Sequence, residues 1–139
     1  MLNNIENEIE SYLEHKDYSG LSLYLEDIVE TEHSSVYAQI NLGLAYLLSD
    51  DESAAQMVWL STFSSYPDEE DEILEIFSAV LDSEANRQEN IVDIDRAFLI
   101  RKNLFEADST NVEHLLSLVR LIALYDFWQF NERDRKSVV

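Results

Sequence analysis

The chain has 139 residues, 46% of them hydrophobic, with a net charge of −20, enough for one domain with a continuous core. It contains no cysteine, which excludes disulfides, thiolate metal sites and thiol catalysis. Two Gly and one Pro leave too little punctuation for a strand-and-turn fold.

The charge is uneven. Residues 1–86 hold 20 acidic side chains and one basic one, Lys16, while residues 87–139 hold 9 acidic and 8 basic. A −19 half argues against nucleic acid or an anionic membrane as a direct partner, since both need Lys and Arg. No positively charged leader precedes an apolar run, and the apolar stretch Leu115 to Trp128 is broken by Ser117, Arg120 and Asp126. A cytoplasmic location is the expectation.

In chain order, Ile5, Ile9, Tyr12 and Leu13 predict a first helix over about 5–15. Lys16 to Gly20 reads as the turn, and Leu21, Leu25, Ile28 and Val29 carry a second helix. Ser34 or Ser35 caps a third, marked by Val36, Ile40, Gly43, Leu44 and Leu47. Gly43, lacking a Cβ, allows a close approach of its hairpin partner. Ser49 to Glu52 reads as a capping box opening a fourth helix, with Ala55, Trp59 and Phe63 inward. Pro67 and the run Asp68 to Glu72 start a fifth, carried on by Ile73, Ile76, Phe77 and Val80. Ala97 and Leu104 lie on a sixth. Thr110 with Glu113 suggests a capping box for a seventh, which is apolar nearly all round from Leu115 to Phe130.

The strongest signal is an internal spacing. Tyr12, Leu21, Leu25 and Ile28 return thirty-four residues later as Tyr46, Ala55, Trp59 and Thr62. The interval then slips, because Ala97 follows Ala55 by eight residues more than that period, placing an insertion around 83–90. Helical pairs at such a period stack into a solenoid.

Leu42, Gly43, Tyr46, Ala55, Trp59 and Pro67 fall at the spacing of one tetratricopeptide repeat, and the chain resembles that family over roughly residues 3–125. Lys16 and His33 stand where the family shows Gly and Pro, and Ser109 replaces another Pro. The resemblance implies an all-α fold of about seven helices, a right-handed superhelix of antiparallel helix pairs. Its repeats would span about 2–35, 36–69 and 70–111, with a partial repeat at 112–130 and a charged tail at 131–139, together one domain.

It also implies a non-enzymatic scaffold that binds a protein partner in a concave groove. Groove positions would be Glu6, Asn7, Glu10 and Glu14; Tyr37, Asn41, Leu44 and Leu48; Asp71 and Glu75; and Arg120. With one cation among many carboxylates, such a groove fits a basic or amphipathic segment and not a carboxylate tail. Phe127, Trp128 and Phe130 lack an obvious cover and are candidate contacts for a homodimer or another domain. In texture the acidic repeats also look like leading segments of bacterial glycosyltransferases and methyltransferases. An acidic nucleic-acid mimic is a further alternative.

No cofactor, metal or catalytic group is expected. The run from Asp82 to Asp93 has oxygen side chains at the alternating offsets of a calcium loop, but Arg87 occupies the position that needs Gly. His15, His33 and His114 show no ligand spacing.

Overall fold

The computed structural model describes the backbone of residues 2–31 and 35–137, and side chains of residues 4–31 and 35–127. It is all-helical, with no strand among the described residues. The α-helices are α1 (Leu2–Glu14), α2 (Tyr18–Thr31), α3 (Val36–Leu48), α4 (Glu52–Ser65), α5 (Glu70–Asn90), α6 (Ile94–Ala107) and α7 (Val112–Ser137). A 3-10 turn, Pro67–Glu69, leads into α5. Two compact units are present, Met1–Phe77 and Ser78–Val139, with the boundary inside α5.

One turn design recurs three times, and it explains where helices stop. Lys16, Asp50 and Val92 adopt left-handed conformations, with φ of 55°, 66° and 61°. The Asp that follows donates its amide to the carbonyl five residues back: Asp17 to Tyr12 (2.9 Å), Asp51 to Tyr46 (2.9 Å) and Asp93 to Gln88 (2.8 Å). A second bond, from Lys16, Asp50 and Val92 to Leu13, Leu47 and Glu89, completes a Schellman motif each time. The same Asp then caps the next helix. Its carboxylate accepts from the amides of Gly20, Ala54 and Arg96 at 3.0, 3.1 and 3.2 Å. A single residue thereby closes one helix with its amide and opens the next with its carboxylate.

The turns sit at the spacings expected from the sequence, Lys16 to Asp50 at the regular interval and Val92 eight residues late. The delay lies in helix length. The helices preceding the three turns have 13, 13 and 21 residues, and those following have 14 each. The insertion is therefore about two extra helical turns of α5, with no loop.

Two caps differ from expectation. Ser49 ends α3, its Oγ donating to the Ala45 carbonyl at 2.9 Å, and Asp51 is the cap of α4. Asn111, not Thr110, caps α7, its Oδ1 accepting from the amide of the second helical residue, Glu113, at 3.0 Å. Both replacements follow from the turn geometry, because the capping residue must directly precede the first helical residue. Gly20 lies within α2, so the first turn is only His15, Lys16 and Asp17.

In the first unit α1 packs on α2, α2 on α3 and α3 on α4. Its centre is the contact of Gly43 with Trp59. The indole lies on the glycine, and a Cβ there would come within 2.6 Å of Trp59 Cε2. The indole N–H donates to the Ile40 carbonyl at 3.0 Å. Phe77 meets the indole edge-on, with centroids 5.0 Å apart and planes at 88°, and Phe63 lies 6.0 Å from Phe77. Leu21, Leu25, Leu44, Leu47 and Ile73 fill the rest of this core. In the second unit α6 packs on α7, around Leu81, Ala85, Ala97, Ile100 and Leu104.

Candidate functional site

Candidate partner-facing residues fall into two groups. Glu6, Asn7, Glu10 and Glu14 on α1, Asp71 and Glu75 on α5, and Arg120 on α7 are exposed, and Tyr37 is half-buried. Asn41, Leu44 and Leu48 are buried in the core, with Asn41 Nδ2 donating to the Tyr37 carbonyl at 2.9 Å. The expectation that these three line a groove is corrected: α3 is covered by both α2 and α4, so they offer no surface. Phe127 is 60% exposed. The side chains of Trp128 and Phe130 lie outside the described residues.

The carboxylates beside Tyr37 still act on it. Burial, then the negative charge of Glu6, holds its phenol above the ordinary tyrosine pKa. Tyr46 is pushed up to about 12, by burial and by its hydrogen bond to Glu26 Oε1 at 2.7 Å.

Sequence reasoning missed the polar network around a buried arginine of the second unit. Arg101 stands where the repeat places Leu25 and Trp59, and it is just as buried. Its guanidinium donates from Nη1 to Asp82 Oδ1 (2.6 Å) and from Nη2 to Asn86 Oδ1 (2.9 Å). Glu89 accepts from Nε at 3.1 Å and from Nη2 at 3.3 Å. Burial opposes the charge of Arg101, but hydrogen bonds to Glu89 and Asp82 outweigh it and raise its pKa.

The three acceptors come from the stretch that resembles a calcium loop in sequence. As helix, positions i, i+4 and i+7 fall on one face, so their oxygens converge on a guanidinium. Glu84, also buried, accepts from Arg87 Nε (2.9 Å) and Gln88 Nε2 (2.8 Å). The signal available in the sequence was a charged residue in a core register, 42 residues after Trp59. A buried charge requires partners.

His15 Nδ1 lies 2.7 Å from the Ser11 carbonyl, and His114 Nε2 lies 3.7 Å from Asp108 Oδ2. Among the described residues no group of three or more His, Asp or Glu could hold a metal ion. Nor is any helix among them long and apolar enough to cross a membrane.

Two concavities open on the second unit. One, about 310 Å3, is polar and runs beside the network, bounded by Glu89, Arg101, Ser117 and Arg120. The other, about 450 Å3, is an apolar groove between α6 and α7 formed by Phe98, Ile122 and Tyr125, with Asp95 at its rim. Phe98, Ile122 and Tyr125 are exposed by 36–41%, so the groove is open to a ligand side chain. It combines an aromatic and aliphatic floor with a single carboxylate, which suits an apolar anchor followed by a cation. Comparison with protein-family models, with curated proteins and with solved structures gives no match.

Proposed function

We propose that this chain is a non-catalytic helical-repeat module, of the tetratricopeptide type, that binds a basic amphipathic segment of a protein partner. The recurring Asp-capped turn and the 13-and-14-residue helix pairs support the repeat reading. The observation that carries the binding role is the groove of Phe98, Ile122 and Tyr125 beside Asp95. An apolar anchor enters the groove, and a Lys or Arg one helical turn away meets Asp95. Exposed carboxylates on α1 and α5 add long-range attraction, which raises association rate more than affinity.

The test uses the full chain and two synthetic helical peptides with the same Leu/Phe pattern, one with a lysine polar face and one with a glutamate polar face. Calorimetry should show the basic peptide binding and weakening several-fold between about 50 and about 300 mM salt. Phe98→Ala with Ile122→Ala should abolish binding, and Asp95→Asn should weaken it. Equal binding of the acidic peptide, or no effect of the groove variants, would overturn the proposal.

A further inference from the structure

The outer face of α7 is a second apolar surface, separate from the groove. Leu118 and Leu121 of α7 are buried. On the opposite side, Val112, Leu116, Val119, Ala123 and Phe127 recur at helical spacing and are all exposed, Val112 by 63% and Phe127 by 60%. A contiguous exposed apolar face of this kind marks a contact surface.

We propose that this face pairs with the same face of a second copy, the two α7 helices running antiparallel about a two-fold axis between Val119 and Arg120. Two features select a second copy over a basic partner. First, α7 carries Glu113, Asp126, Glu132 and Asp134 against Arg120, Arg133, Arg135 and Lys136, a net charge of zero, within a chain of −20. The helix meets its own copy without net repulsion and offers a basic ligand nothing to attract it. Second, the stripe is self-complementary, as a two-fold interface requires. The antiparallel register sets Phe127 against Val112 and Leu116 against Ala123, large against small in both cases.

The size of the contact points to a weak pair. Taking ~150–200 Å2 for a fully exposed large apolar side chain, the stripe and neighbouring Leu115 offer on the order of 500 Å2 per copy. That falls below the ~800 Å2 per partner of a standard interface, so the pair is reversible, with a dissociation constant of about 10–100 μM.

Sedimentation equilibrium of the full chain from about 5 to about 500 μM should show the mass rising from 16.2 kDa towards twice that. Added salt should strengthen the association, because it screens the repulsion between two chains of −20. Leu116→Glu with Val119→Glu, helical by circular dichroism, should stay monomeric. The chain has no cysteine, so single thiols report the register. Val119→Cys, next to the axis, should oxidise to a covalent dimer several-fold faster than Val112→Cys, whose mate is Phe127. A parent that stays monomeric throughout, a charged variant that associates like the parent, or equal oxidation of the two thiols would overturn the proposal.

Discussion

Replacing Gly43 by Ala sets two well-known effects against each other. Helix propensity alone predicts a gain of about 1 kcal/mol, since Gly43 lies inside α3. Packing predicts a loss. The new Cβ would lie 2.6 Å from Trp59 Cε2 and 2.7 Å from Cδ1, inside van der Waals contact. The indole cannot simply slide away, because its N–H is bonded to the Ile40 carbonyl at 3.0 Å and its edge abuts Phe77. Overpacking of this kind costs about 1–3 kcal/mol, and loss of the buried hydrogen bond adds about 1 kcal/mol. Subtracting the propensity gain leaves a net destabilisation of roughly 1–3 kcal/mol. Urea unfolding followed by far-ultraviolet circular dichroism measures it, a helix signal that survives replacement of either indole. Trp59→Leu should reverse the sign: once the ring is gone, Gly43→Ala becomes neutral or stabilising, so the two changes are strongly non-additive. A Gly43→Ala protein at least as stable as the parent would refute the close-approach argument.

Three further outcomes follow from other parts of the molecule. Arg101→Lys, which keeps the charge but loses the fork reaching Asp82, Asn86 and Glu89, should lower stability by about 1–2 kcal/mol; Arg96→Lys, at a half-exposed pair with Asp93, should change it by less than about 0.5 kcal/mol. Asp51→Ala should cost about 1 kcal/mol by removing the cap of α4, and Asn should restore most of it, whereas Ser49→Ala should be nearly neutral by the same chemical denaturation. Tyr46 keeps its proton longer folded than unfolded, since its pKa is raised to about 12. Its contribution is therefore fully present below pH ~10 and lost as pH rises towards 12. Stability measured across that window should fall less steeply in Tyr46→Phe than in the parent.

Helix number and the position of each turn were legible from spacing, because a repeated turn imprints its period on the core residues around it. Leu21, Ala55 and Ala97, read from sequence as equivalent, are all fully buried. Exposure on apolar helices was not legible. Helices α3 and α7 carry the same signal, apolar nearly all round, yet nine of the thirteen residues of α3 are buried while the outer face of α7 is bare. Periodicity reports that a helix has no polar side; it cannot report how many neighbours cover it. The groove positions Asn41, Leu44 and Leu48 came from the repeat resemblance, which likewise does not report that α3 is covered on both sides. The Arg101 network escaped for a different reason: Asp82, Asn86 and Glu89 are spread along the sequence, and only helical geometry turns them to one guanidinium.

The left-handed joints at Lys16, Asp50 and Val92 have a consequence for how the protein comes apart. None is glycine, and a β-branched side chain at Val92 makes that conformation a true outlier, with a cost on the order of 1–3 kcal/mol. Each joint persists only while the helix before it supplies two carbonyls and the helix after it accepts the Asp cap. When either helix frays, the joint springs back to an extended backbone and releases the other. Paired helices should thus open together as single exchange units, with the amides of Asp17, Asp51 and Asp93 losing deuterium protection in step with both flanking segments.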